Sequence, residues 1–265
     1  MSFKISGMSV TRNDDAIDML RRISNSLFFQ IDTSLGVALN LSRAHSRYQL
    51  ACQQINGSLD DLEFPTQEYD DAPMSLYWYG RGARGMPLLQ FLAFYQVIEF
   101  YYPTYFQAEA RRKIRRVLKD PTFRAERDAD IGRVLTSLLG GRGSVGDERS
   151  MLRATIHECV DPDELRTFLS ASEQRAKFLS SKSEGLSSTK IPIANQDADL
   201  RNEISDRIYE IRCKIVHTKA DSRDSDVEIL LPFSEQANRL NHDIELVHYL
   251  AKQVLITAST RLRTI

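Results

Sequence analysis

The chain carries no surplus of charge: 35 Lys and Arg stand against 36 Asp and Glu, a formal net charge of -1. That balance excludes the bulk attraction by which strongly basic domains hold nucleic acid, so any such attraction must rest on local patches. Cysteine is equally scarce. Cys52, Cys159 and Cys213 are the 3 present; they fall in no metal-ligand spacing and cannot all pair within one chain. Free thiols in a reducing cytoplasm are the expectation. Long uninterrupted apolar runs are also missing. The greasiest stretch, Met86 to Phe106, is broken by Gln90, Gln96, Glu99 and Pro103, which predicts a buried helix and not a membrane span. The opening Met1-Ser2-Phe3-Lys4-Ile5-Ser6 lacks the apolar centre of a signal peptide. The expectation is a soluble, cytoplasmic protein with no membrane association.

What is there is hydrophobic content: 42% of 265 residues, enough for a substantial core. Residues 1–80 read as a smaller α+β segment of unassigned role. Asp14 to Ser24 has helical periodicity, with Ile17, Leu20 and Ile23 on one side. Leu27-Phe28-Phe29-Gln30-Ile31 and Val37-Ala38-Leu39-Asn40-Leu41 flank Thr33-Ser34-Leu35-Gly36, a pattern that predicts a β-hairpin. Asp60 to Asp71 reads as an acidic loop, and Tyr77-Trp78-Tyr79 as a short strand before a turn at Gly80 to Gly85.

From residue 86 to 265 helix follows helix. Pro87 to Tyr102 is apolar on most faces and should lie centrally; Pro103 restarts the chain into Thr104 to Leu118. Further helices are expected near Arg133 to Leu139 and Met151 to Val160, with a flexible break at Gly140 to Gly146. Asp161-Pro162-Asp163-Glu164 is a strong helix start: a capping Asp, Pro at the first position, then acids on the positive dipole end. Ser180 to Asn195 reads as a loop. A helix over Asp199 to Val216 follows, and a last one from Ser234 carries Leu240, Ile244, Val247, Ala251, Val254 and Ala258 in spacings of four and three. The fold class is therefore mainly α: a helical bundle with the smaller N-terminal segment attached.

Within the Asp199–Val216 helix, Leu200, Ile204, Ile208, Ile211 and Ile215 form one stripe, and Arg212 borders it. A guanidinium there requires a carboxylate or an anionic ligand. Glu99, between Ile98 and Phe100, is a buried carboxylate requiring a cation, and Arg212 is the obvious one. His217 follows where the helix frays; a histidine there can titrate near neutral pH and act as general acid or base. The same residues also read as a structural ion pair and a histidine facing a helix C-terminus. Positions five apart lie roughly 140° apart on an ideal helix, so Arg212 and His217 converge only where the helix ends or distorts, or across two chains.

The wording Tyr209-Glu210-Ile211-Arg212-Cys213-Lys214-Ile215-Val216-His217-Thr218 resembles the R-x4-6-H signature of the HEPN superfamily in its prokaryotic form. The Phe94-to-Tyr101 helix, Leu230-Leu231-Pro232-Phe233 and the long final helix resemble that group as well. The likeness spans roughly residues 86 to 260 and leaves the first 80 outside it. It implies a HEPN-like bundle that dimerises and brings two such segments into one cleft. It further implies a metal-independent endoribonuclease of a defence or toxin system, acting on RNA (tRNA among the candidates) as a homodimer or a subunit of a defence complex, with no cofactor. His217 would move the proton of the 2′-hydroxyl or of the leaving oxygen, and Arg212 would hold the scissile phosphate. Cys213 departs from the small polar residue, most often asparagine, usual after the arginine. A thiol is a poorer hydrogen-bond partner, which favours an alternative: a catalytically silent HEPN module for dimerisation, assembly or nucleotide sensing.

Arg111, Arg112, Arg115 and Arg116 place positive charge at i and i+4 twice, either a track for a phosphate backbone or a solvated helix face. Lys214 is a further candidate RNA contact. Gly141 to Gly146 fits G-x-G-x-x-G without a preceding strand and reads as a turn. His157-Glu158 lacks the second histidine of a zinc helix, so no metal is expected there. His242 and His248 read as structural, and His45, between Arg43 and Arg47, as an RNA contact or plain surface.

Overall fold

The computed structural model describes residues 6–7, 12–39, 63–139, 147–182, 185–216, 229–232 and 234–262. The chain is mainly helical. The described elements are α1 (Asn13–Leu35), β1 (Gln67–Glu68), α2 (Asp71–Gly82), α3 (Pro87–Phe100), α4 (Tyr102–Leu118), α5 (Asp128–Leu139), α6 (Glu148–Cys159), α7 (Pro162–Ser170), α8 (Glu173–Leu179), α9 (Arg201–Val216), α10 (Glu235–Asn238), α11 (Asn241–Ala258) and β2 (Thr260–Arg261). Among the described residues the sheet is one antiparallel pair, Gln67 opposite Arg261 and Glu68 opposite Thr260. It ties the stretch before α2 to the end of α11. No helix of the described residues is long and apolar enough to cross a membrane.

The expected hairpin is instead the second half of α1. Phe28, Ile31 and Leu35 are buried at spacings of three and four, as are Phe29 and Asp32, a helical period and not the alternation of a strand. Gly36 is the left-handed C-cap of that helix, with φ 69° and its N–H donating to Asp32 O at 3.0 Å. A turn glycine and a C-cap glycine look alike in sequence; helix length decides between them. Asn40 and Leu41, the far end of the expected hairpin, lie outside the described residues.

Tyr77-Trp78-Tyr79 likewise belongs to a helix. Met74, Tyr77 and Trp78 are buried one turn apart in α2, and Pro73 falls within the first turn, where a missing N–H costs nothing. The helix then runs through Gly80. A Cβ there would come within 2.8 Å of the Phe94 ring, so glycine is what lets α2 lie this close to α3.

Around α3 the core closes. Phe91, Ala93, Phe94, Tyr95, Val97 and Ile98 are all buried, so this helix is apolar nearly all round because it has neighbours nearly all round. Phe28, Phe29 and Leu35 of α1 and Met74 and Tyr77 of α2 share one hydrophobic cluster with Phe94, Ile208 and Val254. The expected boundary between residues 80 and 86 therefore separates no two cores. The Asp161–Pro162 start is realised as read: Asp161 Oδ1 accepts from Asp163 N at 2.9 Å and Glu164 N at 3.0 Å. On α11, Val247, Ala251 and Val254 are fully buried, matching the expected seam.

Among the described residues, ionic contacts lie inside this core at Asp32 and at Arg207. Asp32 of α1, 1% exposed, accepts a hydrogen bond from Tyr77 Oη and faces Arg81 Nη2 at 2.5 Å and Lys252 Nζ at 3.7 Å. Tyr77 Oη also lies 2.9 Å from His248 Nε2, whose ring stacks on Phe94 at 4.5 Å. Because the phenol donates to Asp32, the imidazole donates to the phenol. Burial, then the charges of Lys252 and Arg81, push the His248 pKa well below its usual value, so the folded chain holds it neutral. In the second contact Arg207 of α9 meets Asp243 of α11 at 2.6 Å, both wholly buried.

Replacing Asp32 by Asn should cost about 3–5 kcal/mol in chemical denaturation, because Arg81 and Lys252 lose their shared counter-charge. A loss under about 1 kcal/mol would contradict the network. His248 has a folded pKa below its unfolded one, so its contribution is fully present above the unfolded pKa of about 6.5 and is lost as pH falls below it. The melting temperature should therefore fall more steeply below pH 6.5 for the native chain than for His248→Gln.

Candidate functional site

Arg212 lies in the penultimate turn of α9, which packs antiparallel to α6. Arg149 Nε and Arg153 Nη2 reach Asp206 Oδ1 at 2.9 and 2.5 Å, and His157 Nε2 lies 3.0 Å from Asn202 Oδ1. That register brings the N-terminus of α6 to the C-terminal half of α9. Asp147 caps α6 by accepting from Ser150 N at 2.7 Å, which places Glu148 at the first helical position, where the dipole favours an acid. Glu148 is the counter-charge of Arg212: Oε1 lies 2.9 Å from Nε. The same oxygen accepts from Tyr95 Oη of α3 at 2.6 Å, and the guanidinium carbon stands 5.7 Å from the centre of the Tyr95 ring.

Glu99 is not the direct partner expected from the sequence. It forms no ion pair with Arg212 within 4.0 Å, yet it feels the same group. Burial raises its pKa, the charge of Glu148 raises it further, and Arg212 pulls the other way without prevailing. Glu99 is thus a second carboxylate at the rim of the Arg212–Glu148 pair, and one that takes up a proton more readily than an ordinary glutamate. For Arg212, burial opposes the charge, but Glu148, Tyr95 and their neighbours outweigh it and hold its pKa above the usual value. Burial raises the Tyr95 and Tyr102 pKa values strongly, so both phenols stay protonated.

Arg212 meets the carboxylate through Nε. The Arg212 side chain keeps 17% of its surface exposed. A guanidinium oriented in this way and still partly exposed can receive a phosphate oxygen. Cys213, half-buried with a free thiol, stands beside Tyr209, whose pKa is raised by burial and then by that thiol.

Lys214 turns back along α9 to Glu210, Nζ to Oε1 at 3.6 Å, so its charge is shared with its own helix. Its carbonyl accepts from Leu230 N at 3.0 Å. The chain therefore leaves α9 at Val216 and is back on the same turn by Leu230. His217 lies outside the described residues, one peptide bond beyond Val216. Val216, the last residue of α9, lies one helical turn past Arg212. Cys52, His45 and Gly140 to Gly146 also lie outside the described residues.

Arg111, Arg112, Arg115 and Arg116 are all exposed on α4, with Arg112 paired to Glu158. His242 lies 3.2 Å from Glu245. Among the described residues no three His, Cys, Asp or Glu side chains converge as a metal ligand set. Glu148 was missed by sequence reasoning, though its signal was there: Asp147 followed by an acid, directly after a glycine-rich break, is a helix start.

Comparison with protein-family models, with curated proteins and with solved structures finds no match for this chain.

The assignment of Glu148 can be checked by double-mutant cycles in urea. Glu148→Gln with Arg212→Gln should show coupling of about 1 kcal/mol or more, and Glu99→Gln with Arg212→Gln a smaller value. The reverse order would return the pairing to Glu99.

Proposed function

We propose that this chain is a HEPN-type, metal-independent endoribonuclease, acting as a homodimer or as a subunit of a prokaryotic defence or toxin complex. The observation that supports it best is Arg212 itself. Its guanidinium is held in place by Glu148 and Tyr95, stays partly exposed, and lies one turn before the chain enters His217. Orientation without full neutralisation is what binding a scissile phosphate needs.

In the reaction the ribose 2′-oxygen bonds to phosphorus and the bond to the 5′-oxygen breaks, leaving a 2′,3′-cyclic phosphate and a 5′-hydroxyl. His217 takes the 2′-proton or supplies one to the leaving oxygen. Arg212 offsets the charge gathering on the non-bridging oxygens. Glu99, with its raised pKa, is positioned near the same guanidinium to carry the second proton. DNA lacks the nucleophile and should survive.

A catalytically silent HEPN module is the second reading, and a specific observation favours it. Cys213 replaces the usual polar neighbour, and Glu148 already offsets part of the Arg212 charge. The two readings separate on total tRNA incubated in EDTA. The native chain should cut, His217→Ala should lose about 10²–10⁴-fold in rate, and Arg212→Ala about 10²–10³-fold. Cleavage surviving His217→Ala would remove that residue from the mechanism. A native chain inactive on varied RNAs would favour the silent module.

A further inference from the structure

We propose that the last two turns of α4 form a phosphate-binding track for a single RNA strand, separate from the Arg212 site and built from Arg115, Arg116 and Lys119. The three side chains line an open hollow of about 460 Å³ together with Arg112 and Asp120. Positions 112, 115, 116 and 119 fall at i, i+3, i+4 and i+7, one face of the helix.

Charge accounting makes this face unlike an ordinary solvated one. Arg112 is spent on Glu158. The only acid in the lining, Asp120, is spent too: Arg133 Nη2 meets its Oδ2 at 2.7 Å, while Thr122 N and Oγ1 donate to its Oδ1 at 2.9 and 2.7 Å. Arg115, Arg116 and Lys119 have no carboxylate within 4.0 Å among the described residues, so three positive charges face one hollow uncompensated in a chain whose net charge is -1. The helix dipole rewards a cation in the last turn, but its reach ends there and does not explain Arg111 a turn earlier. Arg111 with Arg115, and Arg115 with Lys119, are like-charge pairs four apart, which weaken a helix. An anion laid in the hollow relieves that repulsion.

The geometry favours a strand over other anions. Two arginine forks recognise phosphate oxygens in bidentate fashion, and cations four residues apart are separated by about 6 Å along the axis, which suits successive phosphates of an extended strand. A hollow receives a strand; a flat bilayer meets a convex or planar surface. The choice of RNA over another phosphodiester rests on the endoribonuclease reading, whereas the anion track itself does not.

The test uses the full chain carrying Arg212→Ala, so that substrate stays intact, and a 5′-labelled single-stranded RNA 20-mer followed by fluorescence anisotropy from 50 to 300 mM salt. Adding Arg115→Glu and Arg116→Glu should weaken binding at least 10-fold and make the log–log salt slope shallower by about 1.4, two phosphate contacts at about 0.7 each. Both substitutions are on exposed positions, and an unchanged circular-dichroism melt confirms that the fold is retained. Affinity and slope unchanged by the reversal would overturn the proposal. So would charge-dependent co-sedimentation with phosphatidylserine vesicles in place of RNA binding. If the native chain binds RNA through these residues yet never cuts it, the track stands and the nuclease reading falls.

Discussion

One guanidinium with no exposed surface fixes the helix that carries Arg212. Arg207 enters the core from α9, meets Asp243 of α11 at 2.6 Å, and donates a further hydrogen bond to Thr189 O at 3.0 Å. Taking two charges out of water is costly, and an apolar pair of the same shape would serve stability as well. What the pair supplies is rotational register. Stripes of Ile204, Ile208 and Ile211 can tolerate a helix turned by a few degrees, whereas a fork of hydrogen bonds on a carboxylate cannot. With α9 fixed against α11 at Arg207, Arg212 is carried round to face α3 and α6, where Tyr95 and Glu148 complete its setting.

The two basic features of the chain differ in physical character. Arg212 is largely enclosed, orientated through Nε, and set beside the Tyr95 ring; small displacements there would be costly. The α4 arginines are exposed and, apart from Arg112 on Glu158, held by little beyond their own helix. Pre-organised charge suits the reacting centre, and mobile surface charge suits attraction that tolerates many sequences. A strand drawn in by the second and strained at the first is the economy that the proposed function implies. The Asp32–Tyr77–His248 network stands apart from both, joining α1 and α2 to α11, and needs no ligand to account for it.

Legibility in the sequence followed the range of the interactions. The α9 stripe, the α11 seam, the Asp161 cap and the central place of α3 all depend on residues within a turn or two of each other, and each reads directly from spacing. The misread elements failed where local signals are degenerate. Leu27 to Ile31 is β-branched and aromatic enough for a strand, and Gly36 serves a C-cap as readily as a hairpin. Tyr77 to Tyr79 gave the same ambiguity, which burial one turn apart resolves. The helix start at Asp147–Glu148 is local, but the pairing of Glu148 with Arg212 is not. Glu99 sits in an apolar helix and so looks like the natural counter-charge, but the antiparallel register of α6 on α9 brings Glu148 closer, and no periodicity encodes that register.

The most direct test of the account is the chemistry of the cut ends. Incubation of an RNA oligonucleotide with the native chain in EDTA, followed by mass spectrometry of the fragments, should give 2′,3′-cyclic phosphate and 5′-hydroxyl termini. Those products should vanish with Arg212→Lys, which keeps the charge but loses the fork, and with an all-deoxy substrate. Fragments bearing 5′-phosphate, or cyclic-phosphate products undiminished in Arg212→Lys, would contradict the role given to the arginine that Glu148 holds.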